Sequence, residues 1–216
     1  MYQRDYLLRM IEMLARALSK VLGQKDLKST EDALLEIDDA GKMYIGLGSA
    51  MVSSFSDEDM ITLFHSGGTF DTNKCLAISE LLYAEGQVLE LRKDDDRYRL
   101  RYQRSLHFLL EALTEDNDIA IGPYDERIDI LFQRLHDVVL PPTIMKKLFR
   151  YYEQRGAYAK AEDVLFELIE TNQVEMKNDG IGFYKRLLCK TDDELRGGNL
   201  PRNEVEEGMQ ELMKRS

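Results

Sequence analysis

Residues 147–170 read KLFRYYEQRGAYAKAEDVLFELIE, and the fold turns on this stretch. Leu148 and Tyr152 stand one helical turn apart, so their side chains share one side of a helix. Gly156 interrupts the pattern; lacking a Cβ, it accepts the left-handed conformation with which helices commonly end. The rhythm resumes with Tyr158, Ala161 and Leu165. Ala161 is small enough to let two helices approach closely, and Leu165, one turn on, fills the seam between them. The stretch predicts a helix, a tight turn and a second helix. Pro141-Pro142 marks its start, because proline is tolerated in a first helical turn but not in an interior.

Working outward, helical periodicity covers nearly the whole chain and strand alternation is nearly absent. An opening helix over 5–22 carries the stripe Leu7, Met10, Ile11, Leu14, Ala17, Leu18 and Val21, the spacing of one buried face. Ser29 or Thr30 is expected to cap a second helix, and Ser56 a short one over Asp57–His65. Gly67-Gly68 breaks the chain. Long helices follow over Thr72–Leu91 and Arg97–Leu113, then others over Tyr124–Val139, Ile181–Lys190 and Pro201–Lys214. The polar stretch Lys190–Asn199, with Gly197-Gly198, reads as a linker. The expected fold is all-α, built of stacked antiparallel helical hairpins. Residues 1–70 form an N-terminal helical region and 71–216 the hairpins, together one continuous structural unit.

The segment Pro142–Glu175 resembles a tetratricopeptide repeat, a helix–turn–helix of 34 residues, through Leu148, Tyr152, Gly156, Tyr158, Ala161 and Leu165. Met145 replaces the aromatic of the family's first helix, and Gln173 stands where a proline closes the unit. YQRSLHFLLEAL (102–113) is a poorer echo, through Tyr102, Ser105, Leu109 and Ala112. The opening RDYLLRMIEMLARAL (4–18) and the overall plan resemble a family of bacterial proteins, mostly from Gram-positive species, with tetratricopeptide-like folds and no known activity. The resemblance implies a concave face lined by the first helix of each pair. By that analogy Lys146, Arg150 and Glu153 line a peptide groove, whose basic groups receive a carboxylate of a partner.

Composition narrows the function classes. With 29 Lys and Arg against 40 Asp and Glu, the net charge is −11. Such a chain repels phosphate backbones, which argues against nucleic acid as a partner. The basic run Arg92, Lys93, Arg97, Arg99, Arg101 and Arg104 is spread around a helix and offset by nearby aspartates. Cys75 and Cys189 read as reduced core thiols. The first 22 residues are interrupted by charge, and no later stretch approaches the roughly 20 apolar residues of a membrane span, so a cytoplasmic protein with no membrane role is expected.

His65, His107 and His136 fall in no metal-ligand spacing. Gly46-Leu47-Gly48 offers half of a dinucleotide loop without its strand. The clusters at Asp38-Asp39, Asp57–Asp59 and Asp94–Asp96 lack the alternation of a calcium loop and read as caps. No catalytic, cofactor or metal residue is singled out, and no cofactor is expected. The expected function is a non-enzymatic protein-interaction or scaffold module, with self-association through the Leu7–Val21 stripe as a further expectation. The contrasting expectation is a small-ligand sensor or enzyme with an inter-helical pocket using Tyr83, His107 or Tyr184.

Overall fold

The computed structural model describes residues 2–24, 27–66, 69–115, 122–171 and 173–214. Gly67-Gly68 lies outside them. The fold is all-α apart from a two-stranded ribbon, and it divides into two compact units, 1–139 and 140–216. The division falls at Val139, so residue 70 lies inside the first unit.

In the first unit α1 (Tyr2–Gln24) packs on α2 (Leu27–Tyr44) and on α5 (Thr72–Leu91). Leu7, Met10, Leu14 and Ala17 are buried there. Those four residues of the stripe are covered within the chain, while Ile11 and Leu18 stay half-buried. Ser29 and Thr30, expected as caps, sit inside α2 and are buried. Between α2 and α5 come α3 (Ser49–Ser54), α4 (Asp57–Phe64) and the ribbon of β1 (His65–Ser66) and β2 (Thr69–Phe70), which pairs His65 with Phe70. Ser56 caps α4, its Oγ accepting from the Asp59 N–H at 3.1 Å.

Helix α5 is the axis of this unit. Most of its residues from Cys75 to Leu89 are buried, Ser79, Glu80 and Glu85 among them. Its main partner is α6 (Asp95–Glu115). Two features let them meet closely. A Cβ at Gly86 would lie 2.5 Å from the Tyr102 ring. Ser79 and Ser105 each donate to the other's carbonyl, at 2.8 and 2.9 Å, so the crossing keeps its buried hydroxyls satisfied.

Three glutamates on α5 are held by arginines. Glu80 accepts from Arg127 of α7 (Gly122–Arg134) at 3.0 Å, Glu85 pairs with Arg101 of α6 at 2.6 Å, and Glu90 pairs with Arg134 of α7. Steps of five residues turn about 140° around a helix, so the three pairs grip α5 from different flanks. Tyr102 donates to Glu90 at 2.7 Å; its burial and that carboxylate push the hydroxyl well above the usual tyrosine range.

In the second unit α8 (Pro142–Gln154) packs on α9 (Tyr158–Thr171), and α10 (Gln173–Leu188) packs on α9 and on α12 (Arg202–Lys214). Gly156 has φ +72°, and its N–H donates to Glu153 O while that of Ala157 reaches Tyr152 O. This pair of bonds closes α8 with a left-handed residue. Leu148, Tyr152, Tyr158, Ala161 and Leu165 are all buried. The stretch expected as a linker is instead largely a short helix, α11 (Asp192–Gly197). Thr191 starts it: its Oγ1 accepts from Glu194 N–H at 3.3 Å, and Glu194 Oε2 accepts from Thr191 N–H at 2.9 Å. The backbone and hydroxyl of Thr191 hold the Glu194 carboxyl down at about 2.

Candidate functional site

The second unit separates its charges by helix. On α8 stand Lys146, Lys147 and Arg150 against Glu153; on α10 stand Lys177, Lys185 and Arg186 against Glu175 and Asp179. These two helices touch through the Phe149 and Phe183 rings, whose centroids are 5.3 Å apart. They also touch through Arg186, whose Nε and Nη2 donate to the two Glu153 oxygens at 2.6 and 2.9 Å. The other two helices are net acidic: α9 carries Glu162, Asp163, Glu167 and Glu170 against Lys160, and α12 carries Glu204, Glu206, Glu207 and Glu211 against Arg202 and Lys214.

Helices α9 and α12 meet at Gly208, where a Cβ would stand 2.7 Å from Glu162 Oε1 and 2.5 Å from the Tyr184 hydroxyl. Burial raises the Glu162 pKa, and the charges of Asp163, Glu204 and Glu211 add to this; the Tyr184 hydroxyl, donating at 2.6 Å, opposes them and is outweighed. Glu167 is raised by its burial and by Asp163 and Glu170.

The expected groove residues fall on the cationic side. Arg150 is exposed and Lys146 half-buried, one turn apart on α8. Glu153 stands on the same helix, with both of its oxygens committed to Arg186. Arg186 is the residue that the sequence reading does not single out. Its side chain is 56% exposed although bidentately bound, so it keeps a solvent-facing edge next to Arg150's helix.

Of the residues named for a pocket, Tyr83 and His107 stand in the first unit and Tyr184 in the second. Tyr83 lies under the Arg127 guanidinium, 3.8 Å from its ring centroid. His107 Nδ1 is 3.1 Å from Asp57 Oδ2, and Tyr184 is in the second unit on Glu162. The basic run on α6 is internally paired: Arg97 with Asp94, Arg99 with Asp137, Arg101 with Glu85 and Arg104 with Asp57. Cys75 is buried, its Sγ donating to Phe108 O at 3.2 Å, whereas Cys189 is exposed and so is no core thiol; neither is in a disulfide. Among the described residues no His, Cys, Asp and Glu group is placed to hold a metal ion, and no helix is long and apolar enough to cross a membrane.

An all-α protein of packed helices with a charge-divided second unit is thus the class defined by the fold and the site. The chain belongs to a family of unknown function, DUF6483, whose model matches residues 1–216. No curated protein and no solved structure matches the chain.

Proposed function

We propose that the chain is a non-enzymatic protein-interaction module on the tetratricopeptide plan, and that the α8 and α10 side of its second unit receives an acidic segment of a partner protein. The observation that carries this reading is the division of charge in that unit. Cations outnumber carboxylates three to one on α8 and three to two on α10, whereas carboxylates outnumber cations four to one on α9 and four to two on α12. An acidic strand is drawn to the first pair and repelled by the second, so one side of the unit is selected. Buried Leu148, Tyr152, Ala161 and Leu165, with left-handed Gly156, support the repeat-like pairing of α8 with α9. The net charge of −11 and the pairing of the α6 arginines support a protein partner over nucleic acid. Two cysteines outside any disulfide support a reducing compartment, and we place the activity in the cytoplasm.

Fluorescence anisotropy with a panel of glutamate-rich peptides tests the reading. We expect binding that weakens with added salt, and the double substitution Lys146→Glu, Arg150→Glu to weaken it by about tenfold or more with an unchanged melting temperature. An absence of binding by every acidic peptide at low salt, or equal binding by the double variant, rejects the assignment.

A further inference from the structure

In the second unit α8 packs on α9 and α10 on α12, while α8 touches α10 and α9 meets α12 at Gly208. One layer is therefore α8 with α10 and the other α9 with α12. The first layer presents exposed Arg150, Lys185 and Arg186 and half-buried Lys146. Against them stand Asp179 and Glu153, and Arg186 takes both Glu153 oxygens.

The second layer presents two acidic stripes. Asp163, Glu167 and Glu170 follow the i, i+4, i+7 spacing of one α9 face, and Glu204, Glu207 and Glu211 the i, i+3, i+7 spacing of one α12 face. All six are exposed. The stripes act together, since the charges of Asp163 on one helix and of Glu204 and Glu211 on the other all reach Glu162. Lys160, at the start of α9, lies over the Tyr152 ring of the other layer, its Nζ 5.4 Å from the centroid.

The two layers match in step as well as in sign. Lys146 and Arg150 are four residues apart on α8, and so are Asp163 and Glu167 on α9; four residues advance a helix by about 6 Å. Each layer is two neighbouring helices wide. The cationic layer of one copy can thus lie on the acidic layer of another with opposite charges facing across the contact. The net charge of −11 opposes any contact between copies. Salt at 0.1 M screens that repulsion beyond about 10 Å, whereas facing side chains in a contact are closer than this.

We propose that the acidic partner of the α8 and α10 side is a second copy of this chain, which presents its α9 and α12 side. The proposal rests on the reading of α8 and α10 as the docking side. The two surfaces differ, so the contact is heterologous: each copy keeps one side unused, and further copies add head to tail. Exposed ion pairs contribute little each, so the association is weak and reversible.

Light scattering of the full chain from about 10 μM to about 1 mM, at about 0.1 M and about 0.5 M salt, tests the pairing. We expect the average mass to climb with concentration at the lower salt, with a dissociation constant at or below about 1 mM, and to fall back toward the monomer at the higher. The double substitution Lys146→Glu, Arg150→Glu and, separately, Asp163→Lys, Glu170→Lys are each expected to weaken association by about tenfold or more, with the parent's melting temperature. Mixed in equal amounts, the two variants are expected to associate again, because each then meets a surface of opposite sign. A contact between like surfaces, or one elsewhere in the chain, gives no such rescue. The proposal falls if the parent stays monomeric at the lower salt, if salt does not move its association, if either folded variant associates like the parent, or if the folded pair shows no rescue. Concentration and salt pose the question to the unaltered protein, so a variant that fails to fold does not remove the test. Glutamate-rich peptides separate this pairing from the broader reading. Peptide binding by a monomeric parent overturns the self-pairing alone. Rescue on mixing, with no peptide bound, supports the self-pairing and overturns only the docking of an extended acidic segment.

Discussion

Glu162 sits where the charge pattern of the second unit meets its packing. Its carboxylate is pressed between Tyr184 and the glycine surface of α12, with Asp163, Glu204 and Glu211 nearby. Burial first, and those three charges next, raise its folded pKa above the ordinary 4.5, so the folded state holds the proton more tightly than the unfolded chain does. The stability that this contributes is complete below the unfolded pKa and is lost as pH rises through the folded one. At neutral pH the ionised group therefore opposes folding. Glu162→Gln keeps an acceptor for the Tyr184 hydroxyl and removes the charge. We expect it to raise the melting temperature at pH 7 by a few degrees, with the gain shrinking as pH approaches 4; an equal or lower melting temperature at pH 7 would refute this. None of this is legible in the sequence, because Glu162, Tyr184 and Gly208 are far apart along the chain. Arg186 is hidden for the same reason: its partner Glu153 precedes it by 33 positions. Lys146 and Arg150 are legible, because one helical turn separates them within a single element.

At the scale of elements, the joint between α4 and α6 depends on Arg104. The Arg104 guanidinium donates from Nε to Asp57 at 2.6 Å, from Nη1 to Val52 O at 2.8 Å and from Nη2 to Phe55 O at 3.2 Å. Its side chain is only 8% exposed. Burial raises the Asp57 pKa, but the hydrogen bonds from His107 and Arg104 outweigh it and hold the carboxyl below its usual range. Removing one partner of a buried pair leaves the other charge uncompensated, which costs about 3–5 kcal/mol. We expect Asp57→Ala to destabilise the protein by roughly 3 kcal/mol in urea unfolding, at the lower end of that range because Asp57 is 20% exposed. A loss within the ordinary surface range of about 0.5 kcal/mol would show that the joint is not a determinant of stability.

The legibility of the helices follows the same logic. The ends of α5 are readable because Asp71 caps it, accepting from the Lys74 N–H at 3.1 Å, and because polar residues follow Leu91. The start of α8 is readable from Pro142. Helix α11 is missed because its six residues are nearly all polar and exposed; only Leu195 is buried, and the helix is held by its capping box. The start of α2 is missed because Ser29 and Thr30 are good caps by type but are buried inside the helix, where tertiary packing overrides local preference.

At the scale of the whole molecule, the charge is unevenly shared. Residues 1–139 hold 16 Lys and Arg against 26 Asp and Glu, whereas 140–216 hold 13 against 14. The acidic surplus lies almost wholly in the first unit, and the second is close to neutral yet internally divided. The all-α class is legible from periodicity alone. The division at Val139 is not, since it depends on which helices pack on which, and α5 joins α1 and α2 across the glycine pair at 67–68. The central claim is that an acidic partner docks on the cationic side of the second unit. Backbone amide shifts of the full chain, recorded by nuclear magnetic resonance while a bound glutamate-rich peptide is titrated in, locate the contact directly. Shifts concentrated on α8 and α10, around Lys146, Arg150 and Arg186, are the expected result. Shifts centred on α9 and α12, or confined to residues 1–139, would contradict it.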